Sequence, residues 1–374
     1  VRAALFSYLY AKKHGGSFIL RIEDTDQARK VEGSVEQILE SLAWLGLSPD
    51  EGVIGIADEK GELGPYTQSN RLDMYRSYAQ QLLDSGQAYH SYISPEDFAK
   101  LRDEAIAAKQ PFVYRQTMEP SKPADSDSTM YPIRLKVPEG TLSWHDEVYG
   151  SFDVNHNIID DFVLIKADGF PTYNFANVID DHLMKISHVV RGPEFLPSTP
   201  KYALLYSLLG WQPPKFVHAP VILGPDGKKK LSKRDGDVDV LEFKAKGYLP
   251  DAIINFLAQL GWNDGSTQEI FTRQELIQKF SFERVQKSPA KFDLDRLNWM
   301  NGEYIRTVLS KSEYLDEAKK ALEQASYTTG RAEEYIDRVL LLDRERVKVF
   351  SEIPEIVEFF FVARRLHREN VDRA

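Results

Sequence analysis

The densest chemistry in the chain lies at residues 224–240, GPDGKKKLSKRDGDVDV. Lys228, Lys229, Lys230, Lys233 and Arg234 crowd together there, with Asp226 before them and Asp235, Asp237 and Asp239 after. Such a run has two readings. One is a solvated basic patch or a nuclear address, the commoner meaning of short Lys/Arg-rich segments. The other is a loop that closes on a polyphosphate. Lysine is a compact point charge suited to phosphate, and charge developing during phosphoryl or nucleotidyl transfer must be met by cations. Three features favour the loop: an apolar run, KFVHAPVILG, ends directly before it, Gly227 and Gly236 bracket it, and Ser232 adds a small hydroxyl among the lysines.

Two further groups carry chemistry. Arg21, Glu23, Asp24 and Asp26 follow the apolar stretch SFIL. A charged turn leaving a strand is the ordinary explanation; the functional one rests on position, because ligands bind outside the carboxyl ends of parallel strands. Tyr173 and Asn177 stand in PTYNFAN, and Arg191 ends ISHVVR. A turn tyrosine and a salt-bridged arginine would suffice as structural readings. An arginine aimed into a crevice would instead pair bidentately with a carboxylate. His14, His90, His145, His156, His182, His188 and His218 are scattered without metal-ligand spacing, so core or surface roles are expected for most of them.

The elements that must position these residues follow from periodicity. VRAALFSYLYA predicts an apolar helix closed by Lys12, Lys13, His14 and a Gly pair; it opens without an N-cap residue, as in a chain that starts inside a fold. SFILRIED predicts a buried strand. Val35, Ile38, Leu39, Leu42 and Leu45 fall at helical spacing, and SNRLDMYRSYAQQLLDSG predicts a helix stopped at Gly86. Helix, strand and helix in this order point to a parallel α/β sheet. Residues 90–165 read differently: a helix with Ser94 and Asp97 at capping-box spacing, a polar loop, then short strands. FPTYNFANVIDDHLMKISHVVRG returns to helix and strand, and STPKYALLYSLLGW is a helix capped at Ser198 or Thr199. From about residue 240 the chain reads as mostly helical, with a proline break at Pro354.

Composition bounds the rest. The chain has 374 residues, 57 acidic against 47 basic, a formal net charge of −10 and 42% hydrophobic residues, enough for several cores. An acidic total disfavours indiscriminate nucleic-acid binding and leaves local patches open. The absence of cysteine excludes disulfides, thiolate zinc sites and cysteine nucleophiles. No apolar run reaches the length of a membrane span, and no GxGxxG or GxxxxGK[ST] phosphate loop is present.

KLSKR at 230–234 resembles the KMSKS loop of class I aminoacyl-tRNA synthetases. With its surroundings, LGWQPPKFVHAPVILGPDGKKKLSKRDGDVDVLEF and GYLPDAIINFLAQLGW, it is similar to the glutamyl-tRNA synthetases. RIEDTDQAR, GPYTQSNR, DGFPTYNFANVIDDHLM and FDLDRLNWMNGEYIR resemble further blocks of that family, over residues 1–306 in all. The resemblance implies an α/β fold with a Rossmann-type parallel sheet. Its halves would be residues 1–88 and 168–223, interrupted by an inserted α+β acceptor-binding domain at 89–167. A loop and helical stem-contact domain at 224–306 and an incomplete helical anticodon-binding region at 307–374 would follow.

The same resemblance implies ligation of L-glutamate to tRNA(Glu) with ATP and Mg2+, through a glutamyl-adenylate. Lys230 and Lys233 would be the catalytic cations. Glu23, Tyr173, Asn177 and Arg191 would hold glutamate, with Arg191 favouring a side-chain carboxylate over a carboxamide. Glu194, Phe195, Val221, Ile222, Lys230, Leu231, Ser232, Lys233 and Arg234 would meet ATP, and Thr25, Asp26 and Arg29 the 3′ end of tRNA. A monomer in a bacterial-type cytoplasm, without protein-held metal or zinc, is implied. The chain departs from the pattern in having Phe195 where the family has Trp and Pro193 where it has Glu or Ala. A His-x-Gly-x block is expected ahead of Val1, and a full synthetase is expected to continue past Ala374. The rival readings are a glutaminyl enzyme, a glutamyl-transferring paralogue that modifies a tRNA base, and a non-catalytic tRNA-binding protein.

Overall fold

A computed structural model describes residues 1–26, 31–123, 131–231, 239–323 and 330–361. In chain order the elements begin with α1 (Arg2–Lys13), β1 (Ile19–Leu20), α2 (Ser34–Trp44), β2 (Glu51–Val53), β3 (Glu59–Lys60), α3 (Leu72–Asp84) and β4 (Ala88–His90). Next come α4 (Pro95–Ala107), β5 (Ile133–Leu135), β6 (Thr141–Asp146), β7 (Gly150–Asn155), β8 (Val163–Ile165), α5 (Tyr173–Leu183) and β9 (His188–Arg191). Then follow α6 (Thr199–Leu208), β10 (Lys215–His218), β11 (Ile222–Leu223), α7 (Val240–Ala245), α8 (Pro250–Gln259) and α9 (Arg273–Lys279). The last are β12 (Ala290–Lys291), α10 (Leu294–Glu303), α11 (Lys311–Glu323), α12 (Glu333–Leu342) and α13 (Ile353–Phe361).

Two sheets frame the site. β1 pairs in parallel with β2, and β3 adds an antiparallel edge. The second sheet has the order β7-β6-β10-β9. β10 runs parallel to β9 from Lys215↔His188 to His218↔Arg191, with α6 as the crossover a parallel pair needs. β10 also runs parallel to β6 at Phe216↔Asp146. The β6–β7 hairpin therefore extends the β9–β10 sheet, although it lies in the stretch expected to be an inserted domain. β4, β5 and β8 form a separate antiparallel sheet. The run SFILRIED gives only two strand residues, and the chain then continues extended past Ile22, whose N–H donates to Tyr66 O at 2.9 Å.

Among the described residues, three large cores and a small cluster of Val53, Tyr66 and Met184 beside β1 and β2 hold this frame. One joins Leu5, Phe6 and Leu9 of α1 to Leu42, Leu45, Ile253, Phe256, Trp262 and Phe280. Another packs Tyr75, Leu135, Trp144, Leu164, Phe175, Ile179 and Leu205 between α3, α5, α6 and the strands. The third gathers Ile305, Tyr314, Leu340, Phe350 and Val357 in the C-terminal helices. Each fully buried side chain of this size contributes roughly 1.5–3 kcal/mol relative to exposure. Within α2 the helical spacing overreaches: Leu42 and Leu45 are buried, but Ile38 is 42% exposed. Pro354 opens α13 rather than breaking it, because proline fits the first turn, where no intrahelical N–H bond is lost.

Candidate active site

Between β1 and β9 lies a cleft of about 890 Å³, lined among others by Arg21, Glu23, Tyr173, Asn177, Asp181 and Arg191. Three elements deliver these groups. Arg21 and Glu23 leave the carboxyl end of β1, and Arg191 closes β9. Tyr173, Asn177 and Asp181 stand four residues apart on α5, which places them on one helical face.

The β1 side of the cleft is a buried ionic cluster. Arg21 donates from Nη1 to Asp181 at 2.8 Å and from Nη2 to Glu23 at 3.0 Å and to Asn177 Oδ1 at 3.2 Å. Behind it, Asp180 is fully buried and accepts from Arg71 Nε at 2.7 Å, Gln68 Nε2 at 2.9 Å and Tyr75 OH at 2.8 Å. Arg21 Nε stands 3.7 Å from the same carboxylate. Burial works against the Arg21 charge, yet Asp181, Glu23 and Asp180 more than offset it and hold the guanidinium above its ordinary value. Burial also pushes the Glu23 and Asp181 carboxyls up, with Arg21 opposing in both cases. Three carboxyl groups thus face two guanidiniums, Arg21 and Arg71. Such a cluster is chemistry for a cation at its open edge, where a third of the Glu23 side chain is exposed.

The β9 side carries a cation. The Arg191 guanidinium lies 4.4 Å from the Tyr202 ring centre and within 6 Å of Phe195 and Phe216, geometry in which a cation meets the negative faces of rings. Its Nε donates to His218 Nε2 and its Nη2 to Thr199 Oγ1, each at 3.1 Å. Tyr173 stacks on Phe195 with centroids 5.5 Å apart, so the departure from Trp leaves an aromatic contact. Burial raises the Tyr173 phenol, Glu23 adds to the rise and Arg191 opposes it, which sets this ring within reach of both sides of the cleft.

The basic loop begins as a tight turn. Gly224 N–H donates to Lys229 O at 2.8 Å, and Leu231 N–H to Ile222 O at 2.9 Å. Asp226 Oδ1 accepts from the N–H groups of Lys228 and Lys229 at 2.9 and 3.2 Å. Lys230 Nζ lies 2.9 Å from Glu194 Oε1, an exposed pair. Burial opposes the Glu194 charge, but its own backbone N–H and Lys230 hold the carboxyl below its ordinary value. At Gly192 an added Cβ would stand 2.2 Å from the Glu194 carboxylate, so a larger residue there would displace that side chain from its present place. Val221 O accepts from Ala290 N at 3.0 Å and Ile222 pairs with the same residue, so both anchor the loop to β12.

Of the remaining candidates, Thr25 is buried, its carbonyl accepting from Lys166 Nζ at 3.2 Å, and Asp26 is exposed; neither lines the cleft. Arg29, Ser232, Lys233 and Arg234 lie outside the described residues. The sequence reading passed over Asp180, Asp181, Gln68 and Arg71. One signal was available: two adjacent aspartates inside the apolar helix NVIDDHL, where buried carboxylates demand partners.

A cation site and an anion site facing one cleft at strand ends, beside a lysine loop, suit a nucleotide-dependent enzyme that handles a zwitterion. Residues 1–299 match the profile of the tRNA synthetases class I (E and Q), catalytic domain, and the chain belongs to this family. It is 45% identical over 365 residues to the glutamate–tRNA ligase of Dehalococcoides mccartyi, covering 96% of this chain and 74% of that protein. It is 46% identical over 366 residues to that of Clostridium botulinum, covering 96% and 73%. The fold matches the glutamate–tRNA synthetase of Elizabethkingia anophelis with a TM-score of 0.87 at 39% identity, over 97% of this chain and 78% of that one. The glutamate tRNA ligase of Elizabethkingia meningosepticum, solved in complex with its amino acid, matches with a TM-score of 0.88.

Proposed function

We propose that the protein ligates L-glutamate to tRNA(Glu) at the expense of ATP. The supporting observation is the cleft between β1 and β9, which sets a cluster of carboxyl groups on one side and Arg191 on the other. Glu23 and Asp181 receive the substrate ammonium, Arg191 pairs with its side-chain carboxylate, and Tyr173 and Asn177 fix the orientation between them. A site built for a carboxylate rejects a carboxamide, because the guanidinium would be left without its charged partner.

In the first step a carboxylate oxygen of glutamate attacks the α-phosphorus of ATP. The bond to the bridging oxygen breaks and pyrophosphate leaves. In the second, a terminal ribose hydroxyl of tRNA attacks the acyl carbon, and AMP departs. Lys230, released from Glu194, and Lys233 meet the charge on the triphosphate and the leaving pyrophosphate. Glu194, Phe195, Val221, Ile222, Leu231, Ser232 and Arg234 flank the nucleotide, and Thr25, Asp26 and Arg29 lie toward the tRNA 3′ end. Among the described residues no group of three or more His, Cys, Asp or Glu side chains forms a cation cage. Mg2+ would travel with the ATP phosphates, which supply most of its ligands in such sites. The domain division above, a monomeric state and a cytoplasmic location belong to the same reading. The test is tRNA-dependent ATP–pyrophosphate exchange by the full-length gene product. Exchange with glutamate and none with glutamine is expected; absence of exchange with glutamate overturns the reading.

A further inference from the structure

Asp146 and His218 form a polar pair outside the cleft, both without exposed surface. Asp146 ends β6 and His218 ends β10, neighbours in the sheet. His218 Nδ1 lies 2.6 Å from Asp146 Oδ2, which also accepts from the His218 N–H at 3.1 Å. The other carboxylate oxygen accepts from Val148 N–H at 2.9 Å and Tyr149 N–H at 2.8 Å. With these bonds, both oxygens of Asp146 are held in place. Burial opposes the Asp146 charge, but the His218 bond and the backbone N–H of Tyr149 outweigh it and hold the carboxyl below its ordinary value.

The far side of the imidazole faces Arg191. A guanidinium Nε–H can only donate, so the contact at 3.1 Å requires a lone pair on His218 Nε2. The ring proton then sits on Nδ1 and points at Asp146. Thr199 completes the arrangement: its hydroxyl accepts from Arg191 Nη2 at 3.1 Å and lies 3.1 Å from Phe195 O and 3.3 Å from His218 Nε2, two acceptors between which its single proton is shared. The Nε and Nη2 edge of Arg191 is thereby tied to the protein. Neither Asp146 nor His218 lines the cleft.

We propose that Asp146 and His218 are positioning residues for Arg191: they fix the plane of its guanidinium, and with it the discrimination between carboxylate and carboxamide, without touching substrate. This rests on the assignment of Arg191 to glutamate. Partners that orient metal ligands from behind are worth about 10–100-fold in affinity, and His218→Leu is expected to raise the glutamate Kd by a factor in that range. It is expected to narrow the preference for glutamate over glutamine and to leave the ATP KM in exchange unchanged. His218→Gln, which returns an acceptor toward Arg191, restores glutamate binding. In the unmodified full-length protein, 15N-histidine NMR is expected to show His218 as the Nδ1–H tautomer. An Nε2–H tautomer overturns the proposal. So does a His218→Leu variant that loses ATP and glutamate parameters together with its melting temperature, with no recovery in His218→Gln. Arg191→Gln separates the two claims. If it weakens glutamate binding while His218→Leu does not, only the positioning role falls; if it leaves glutamate binding unchanged, the assignment of Arg191 fails and the positioning role falls with it.

Discussion

Glu23 shows how much a residue's meaning depends on its surroundings. In the sequence it is one of several acids in a charged turn. In the fold it shares Arg21 with Asp181 and Asn177, and burial raises its carboxyl above the ordinary 4.5. A carboxyl raised in this way begins to protonate at a higher pH than a free one, and an ammonium partner binds only the charged form. Glutamate affinity measured by calorimetry should therefore decline as the pH is lowered toward 4.5. Glu23→Gln should flatten that decline and cost about 1.5–3 kcal/mol of binding at neutral pH, the worth of a hydrogen bond to a charged group. Unchanged glutamate affinity at neutral pH in the variant would remove Glu23 from the ammonium site, since Asp181, raised by burial in the same way, would still carry part of the pH dependence. Asp180 was not legible in the same way: nothing in its spacing says that Arg71, Gln68 and Tyr75, all more than 100 positions away, converge on it.

At the scale of elements, local signals served best where local physics decides. The Ser94 cap was legible because the cap bond spans three residues: Ser94 Oγ accepts from Asp97 N–H at 3.0 Å, with Pro95 in the first turn. Asp97 does not return the bond to the cap backbone; its carboxylate takes the Ser94 hydroxyl at 2.8 Å. α4 has no buried residue; the cap, the Phe98 contacts with Phe112 and Tyr114, and the Arg134 guanidinium 4.8 Å from the Phe98 ring centre hold it. Ser94→Ala should cost about 1 kcal/mol, read as faster amide exchange confined to α4. Equal exchange in both proteins would show that packing, not the cap, sets its stability. Strand partners were less legible. Alternation in TLSWHDEVYGSFDV gives two strands, but no periodicity says that β6 pairs with β10.

For the whole molecule, the junction between the catalytic body and the C-terminal helices is a specific staple. Asn301 is fully buried; its Oδ1 accepts from Leu249 N–H at 2.8 Å and its Nδ2 donates to Lys348 O at 2.6 Å. Gly247 adds a close approach at φ +79°, where an added Cβ would stand 2.7 Å from Phe350 Cβ. Asn301→Ala removes the side-chain partner of two part-buried backbone groups, at about 0.5–1.5 kcal/mol each. Calorimetry should then show the C-terminal helices melting ahead of the rest, whereas a single transition displaced as a unit would argue for one cooperative body.

Taken by itself, the sequence determined the helices with strong 3.6-residue periodicity, the Ser94 cap and the family likeness, because each is written in neighbouring residues; the cap expected at Ser198 or Thr199 makes no side-chain cap bond, Thr199 turning to Arg191 and Phe195 instead. It also marked Glu23, Tyr173, Asn177 and Arg191 as candidates. Only the tertiary structure decided that these four line one cleft, that Asp180 and Asp181 complete its charge, and that Asp146 and His218 stand behind Arg191. Those relations join residues from 2 to more than 150 positions apart. Burial and hydrogen bonding select them only once the chain is folded, when an unpaired charge inside the protein costs more than a paired one.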